Sequence, residues 1–488
     1  MKDNEYISII KAETVEYPKA EDCFIPDKDY PENPFIHRGI NPRNRVYNAV
    51  REALHTLKMD EAHYGTKEWN PFKDVINPGE TVLVKPNLVM HRNKSEAGTD
   101  CLYTQSAVVA PVIDYIYIAL KGSGKIIIGD APMQECDFKV LLEQSGYASL
   151  VSFYKNQGLD IEIVDFRELK SESKNGLYIQ KINTEAKGRI IDLKDSSEFH
   201  VCDSEMIKKM RITNYDPRVL NTHHTDDVHE YYVSDDVLSA DVIINMPKPK
   251  THRKAGATIS LKNMIGINLR KEFLPHHTIG GKGDGGDEYN TRSTVHKFRS
   301  YIDDEINELC ANNHYTVARL LKFPRRACSL ILKLMGHNYS EGSWYGNHTI
   351  SKTISDINKI VYYADKQGVM RDTKQRKVFI VADMIVSGEK EGPLLPSSKP
   401  VGIIAAGYNP VLFDETIATL MGFDYNKIPA IVTARGISGK YKLTSNKEVC
   451  ILSNDESLSN ICLEDFPQYE RLDFIPTSGW KGHIELKK

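Results

Sequence analysis

Along this chain, short runs of β-branched residues alternate with stretches whose apolar residues recur every three or four positions. Tyr6 to Ala12, Thr81 to Val84, Lys125 to Ile128, Ile161 to Val164, Asp241 to Asn245, Val378 to Val381 and Val401 to Ile404 are of the first kind. Their Val and Ile content suits buried strands. Asn44 to Lys58 is of the second kind, with Val46, Ala49, Val50, Ala53, Leu54 and Leu57 on one helical face. Ala107 to Leu120 follows, stopped by Gly122-Ser123-Gly124, and Asn409-Pro410 opens another helix through Ile417, Leu420 and Met421 to Gly422. The alternation predicts an α/β fold, a mainly parallel sheet flanked by helices. Phe298 to His337 breaks it. There Ala327, Leu330, Ile331, Leu334 and Met335 share a helical face, with Lys322, Arg325, Arg326 and Lys333 nearby. We read a helical insertion over 298–370, between a first part of the core (1–297) and a second part (371–488). Its apolar stripe is expected to pack on the rest of the protein, although a basic amphipathic helix can also lie on a membrane or clamp an acidic partner. Residues 171–236 are polar and irregular and are expected to cover the surface.

Several strands end in chemically capable residues. Thr81 to Val84 runs into Lys85-Pro86-Asn87, and Lys125 to Ile128 into Gly129-Asp130-Ala131-Pro132. Asp241 to Asn245 is stopped by Pro247 and Pro249, which lack an amide hydrogen, and is followed by Lys248, Lys250, His252, Arg253 and Lys254. A short helix is expected to start near Thr258, a residue type that can cap its first amides, carrying Lys262 and Asn263 and ended by Gly266. Val378 to Val381 ends in Ala382-Asp383, and Val401 to Ile404 at Gly407. Open α/β sheets bind ligands outside the carboxyl ends of their strands, and lysines beside free helix amides suit an anion. The expectation is one composite site. Lys85, Asn87, Lys248, Lys250, Lys262 and Asn263 would hold a carboxylate or phosphate, while Asp130, His252 and Asp383 would transfer protons. Asp130 and Asp383 are also candidates for a divalent metal, with any cofactor unknown. The plainer alternatives are a solvated basic loop, and an Asp130 that caps a helix or orders a lysine. Gly280 to Tyr289 is glycine-dense enough to form a lid, and His276 or His277 could shuttle protons. His223, His224 and His229, with Asp226 and Asp227, lie in a polar loop with nothing to fix metal geometry.

Charge and cysteine usage narrow the classes. The net charge of -3, with 26% of residues charged, argues against a dedicated nucleic-acid binder. No apolar run is long enough to span a bilayer, and the first residues lack an apolar signal region, so the cytoplasm is expected. The 8 cysteines include no C-x-x-C pair, so no iron–sulfur cluster is expected in this chain.

Pro247-Lys-Pro-Lys250-Thr-His252, a small-residue turn, and Leu261-Lys-Asn263-x-x-Gly266 resemble the core motif of the uncharacterised DUF362 family. Lys85-Pro-Asn87, Pro275-His-His277, Gly286-Asp-Glu-Tyr289, Trp344-x-Gly-Asn347 and Asp356-x-Asn358 resemble further signatures of that family. So do Asp383, Gly392-Pro393 and Gly407-x-x-Pro410-x-x-x-Asp414, which extends the resemblance over roughly Thr81 to Gly422. His348 stands where the family commonly has Asp, and the ferredoxin-type cysteine segment of some relatives is missing. The resemblance implies a site more than a reaction. The functional expectation is an enzyme acting on a small anionic molecule at a Lys/His/Asp site. Its rivals are a non-catalytic anion- or nucleotide-binding module and a redox protein served by a separate iron–sulfur partner.

Overall fold

The β-branched runs meet in one central sheet. The computed structural model describes residues 5–35, 37–174, 177–337, 339–444 and 447–487. Numbered along the chain, the strands of this sheet are β1 (Glu5–Lys11), β2 (Thr81–Pro86), β3 (Lys125–Asp130), β4 (Ile161–Asp165), β5 (Val242–Met246), β6 (Lys250–His252), β7 (Gly256–Thr258), β8 (Lys377–Glu391), β9 (Leu395–Gly407), β10 (Val449–Ser453) and β11 (Ile461–Cys462). Their order is β11-β10-β1-β9-β8-β5-β2-β3-β4, with β6 paired to β7 and to β8. From β8 to β4 every neighbour is parallel, so the architecture is α/β with a mainly parallel sheet. Alternate residues face opposite layers, as the two-residue pleat requires. Leu83, Ile127 and Ile243 pack with the helices Thr349–Tyr363 and Pro410–Leu420. Val82, Val84, Ile126, Ile128 and Ile244 pack with Arg45–Thr56 and Ser106–Leu120. Burial on both faces is why these strands read as unbroken apolar runs.

The parallel register brings the strand ends to one rim. Lys85 lies beside Asn245, and Asn245 beside Ile380. β8 does not stop there. It continues to Glu391, paired with β9 as a two-stranded arm beyond the rim, with a register shift between Met384 and Val386. The β6–β7 hairpin lies against this arm, Lys250 opposite Gly388.

Four expectations need correction. The basic loop is a buried hairpin, because Lys250, Thr251 and His252 form a strand with almost no exposure. The short helix lies near Thr258 as expected, over Ser260–Asn263 and on as a 3-10 turn over Met264–Ile267, but Thr258 does not cap it, being the last residue of β7. Residues 171–236 are not a surface cover, since Ile191, Phe199, Met210, Tyr215, Leu220 and Tyr231 join the main core. Finally, Thr294–Ala311 pairs with Tyr315–Leu334 around Ile302, Ile306, Ala318 and Cys328, yet Leu330, Ile331, Leu334 and Met335 face solvent. The helix packs through its narrower face and leaves the stripe uncovered. Among the described residues, no helix is long and apolar enough to cross a membrane.

Candidate functional site

At the end of β2 and β3, Lys85 and Asp130 form a buried ion pair, Nζ to Oδ1, at 2.8 Å. Lys85 also donates to the Pro86 carbonyl at 2.7 Å. The other carboxylate oxygen of Asp130 accepts from the Leu88 amide at 2.7 Å, and Oδ1 accepts from the Ala131 amide at 2.9 Å. Asn263 ties this corner to β5, donating to the Lys85 carbonyl at 3.1 Å and to Asn245 Oδ1 at 2.8 Å. Gly266 is needed here by close approach, because a Cβ on it would lie 1.9 Å from Asp130 Oδ1. Burial pushes the Lys85 amine below its ordinary range, and Asp130 opposes that.

A second pair stands just past the end of β5 and midway along β8. Lys248 lies 3.0 Å from Asp383 Oδ2, both side chains fully buried. Asp383 also accepts from the Gln105 amide at 2.9 Å and the Tyr17 hydroxyl at 2.5 Å. The Lys248 ammonium sits 4.9 Å from the centre of the Tyr17 ring. The register shift after Met384 belongs to this corner, since the Val386 amide donates to the Tyr17 hydroxyl at 3.1 Å. Such bulges re-aim side chains.

Between the rim, the hairpin and the arm lies a cavity of about 440 Å³. Asn87, Asp130, Lys250, His252, Lys262 and Asn263 line it; Lys85, Lys248 and Asp383 stand behind its wall. Lysines that the sequence reading did not assign join them: Lys254, on the hairpin turn, and Lys271. Lys250 donates to Asn87 Oδ1 at 2.5 Å, Lys254 to Thr213 Oγ1 at 2.8 Å and Lys271 to the Ala131 carbonyl at 2.8 Å. Lys262 makes no hydrogen bond among the described residues, and none of these four lysines has a carboxylate partner there. Burial lowers Lys250, Lys254 and Lys271 to about 7 and Lys262 to about 8. Lys248 depresses Lys250 further, and Lys254 does the same to Lys262. On the same wall, the Tyr215 hydroxyl and Gln134 Oε1 are buried polar atoms without a hydrogen-bond partner among the described residues.

Two histidines face this cavity in opposite tautomers. His252 Nδ1 accepts from the amides of Lys254 and Ala255, both at 3.1 Å. Neutral His252 therefore carries its proton on Nε2. His276 Nδ1 lies 2.7 Å from the Leu274 carbonyl and must donate to it, which leaves Nε2 as the acceptor. Burial, then the nearby lysines, drive both rings well below the ordinary histidine range. His277 does not line the cavity.

The expected helix-end anion site is not open. The amides of Ser260 and Leu261 donate to Asp414, at 2.8 and 3.2 Å. Nor is Gly280 to Tyr289 free to act as a lid. Asp287 accepts from the amides of Thr278, His348 and Thr349, capping the helix that starts at Thr349. His223 stacks on Phe273, and His224 Nε2 donates to the Phe273 carbonyl at 3.0 Å. Among the described residues, no three His, Cys, Asp or Glu side chains are grouped to hold a metal ion. Asp130 and Asp383 direct both of their oxygens at N–H and O–H donors within the protein.

Tyr17 comes from the polar excursion before Pro42, and Thr213, Asn214 and Tyr215 from the segment expected at the surface. Neither shows a periodic signal, and only the tertiary fold reveals their place. Arg325 and Glu341 bring the helical segment to the cavity wall; Arg253, at 3.3 Å, is the nearest cation to Glu341.

The family model described as a domain of unknown function (DUF362) matches residues 82–190 and 200–419. A thylakoid-associated protein of Synechocystis sp. is 27% identical over 207 residues, which is 42% of this chain and 45% of that protein. The chain thus spans less than half the length of this curated relative. No solved structure matches.

Proposed function

The chain belongs to the DUF362 family, and from that premise we propose that its cavity binds a small carboxylate or phosphate and moves a proton on it. One observation carries the reading: Lys250, Lys254, Lys262 and Lys271 share a cavity without a carboxylate partner among the described residues. A buried ammonium without a counter-charge is costly. An anion in the cavity would supply that charge, above all to Lys262, which has no hydrogen-bond partner among the described residues. Asp130 and Asp383 enter the proposal as positioning groups that keep Lys85 and Lys248 charged and in place.

The two histidines divide the chemistry. In the proposed step a C–H bond of the bound molecule breaks and its proton goes to His276 Nε2, the acceptor. The electron pair left behind spreads onto the anionic oxygens, where the lysines and the His252 Nε2–H stabilise it. The anion itself prepares the base. The lysines depress His276, so a negative ligand among them raises its proton affinity when substrate is present.

Thermal unfolding with inorganic phosphate and small carboxylates tests binding. The melting temperature should rise by mass action, and Lys262→Ala should remove most of the rise while the apo protein stays folded. No rise, or an equal rise in the variant, would refute the assignment. For the proton step, a stabilising carboxylate held in deuterated water should gain deuterium next to its carboxylate. His276→Gln should stop the exchange and keep the thermal shift; exchange that persists in this variant removes His276 from the chemistry.

A further inference from the structure

The helix Tyr315–Leu334 carries five cations, Arg319, Lys322, Arg325, Arg326 and Lys333, and no Asp or Glu, in a chain whose net charge is -3. At about 100° per residue, Ala318, Cys328 and Leu332 fall on one side, and these are the buried ones. Roughly opposite lie Leu320, Phe323, Leu330, Ile331 and Leu334, exposed by 61, 65, 60, 45 and 80%. Arg319, Arg326 and Lys333, spaced by seven, form a row along one border of that stripe, and all three are exposed. Scattered exposed apolar residues are ordinary on a protein surface; a continuous stripe of aliphatic side chains is not.

We propose that this face docks on a membrane surface containing anionic lipids. The stripe would enter the boundary between headgroups and acyl chains, and the basic row would meet the negative headgroups. Charge complementarity decides between occupants. In a symmetric dimer the helix would face its own copy, setting cation against cation with no acidic residue on either helix to relieve it. An aqueous surface leaves the aliphatic stripe unburied. An anionic bilayer satisfies both halves of the face. Because the same helix gives Arg325 to the cavity wall, docking would place that wall within about one helix diameter, ~10 Å, of the headgroups.

The test is co-sedimentation of the full chain with vesicles of mixed phosphatidylglycerol and phosphatidylcholine, against phosphatidylcholine alone. The protein should bind the anionic vesicles, and less so as salt is added. Phe323→Ser with Leu334→Ser should lower the partition coefficient at least about tenfold. Arg319→Gln with Arg326→Gln and Lys333→Gln should lower it by a similar factor on anionic vesicles only. All five positions are exposed, so the melting temperature should not change; if the apolar variant melts early, the basic-row variant still decides. Absence of binding to anionic vesicles overturns the proposal, as does binding indifferent to both sets of substitutions. A dimer in solution that Phe323→Ser with Leu334→Ser dissociates, without vesicle binding, would give the face to a second copy instead.

Discussion

The absence of a single methyl group on residue 266 decides whether Lys85 and Asp130 can meet. With a Cβ there, Asp130 Oδ1 would be 1.9 Å away and Lys85 Nζ 2.9 Å away, and neither group has somewhere else to go. Both are buried, and a buried ion pair that loses its geometry leaves two uncompensated charges. Gly266→Ala should therefore cost on the order of 3 kcal/mol or more, read from urea denaturation. A loss under about 1 kcal/mol would mean that the 3-10 turn carrying Gly266 simply shifts. The same logic separates the lysines. Lys85 and Lys248 each have an aspartate and serve the scaffold, whereas Lys262 has none among the described residues. Lys262→Ala is thus expected to change anion binding and leave apo stability within about 0.5 kcal/mol of the parent or slightly higher, because it removes a charge that burial already disfavours.

At the scale of elements, what could be read from the sequence follows from how local each device is. β2, β3 and β5 are apolar runs ended by proline or by glycine and aspartate, so both the strands and their polar termini show in a window of ten residues, and Lys85, Asn87, Lys250 and Asp130 are legible as residues of one rim. The first half of β9 was not legible. The apolar run marks a strand only over Val401 to Ile404; the half with Pro396 and Pro400 pairs along the β8 arm, where missing amides are tolerated at an edge. The partner of a helix end is no more local. Asp414 caps Ser260–Asn263 from the middle of the helix Pro410–Leu420, 154 residues from Ser260, and it closes the anion site that the motif alone suggested. Asp287 does the same for Thr349–Tyr363 from within a glycine-dense segment. Its carboxylate also accepts from the Thr349 hydroxyl at 2.7 Å, so Asp287→Ala strands several buried donors at once. The expected cost is about 2–4 kcal/mol, measured by denaturation. It should appear in hydrogen exchange as faster opening of the first turn of that helix and no change in β2 or β3. Uniformly faster exchange would show that the cap is not local in its effect.

Across the whole molecule, the uncompensated lysines should leave a signature in stability against pH. Lys250, Lys254 and Lys271 are held at about 7 and Lys262 at about 8, against an ordinary value of 10.5. Between those values the unfolded chain binds more protons than the folded one, so stability rises with pH. Glu272, Glu288 and Asp414, raised to about 7, act with the opposite sign; they offset the lysines near pH 7 and have largely finished titrating about one unit higher. Cys23 and Cys136, raised to about 11 and about 12, begin to oppose the trend only above roughly pH 8.5, where the unfolded thiol ionises. The apo protein should accordingly melt at a higher temperature as pH goes from about 7.5 to about 8.5. An anion among the lysines favours their charged forms, so phosphate should flatten this slope, mainly by stabilising the low-pH end. By the same linkage, binding at about pH 8 should take up protons, seen as a dependence of the calorimetric heat on the ionisation enthalpy of the buffer. A slope that is flat or negative without anion would show that the four lysines are not buried unpaired. A positive slope that phosphate leaves unchanged would show that they are, but that phosphate does not reach them.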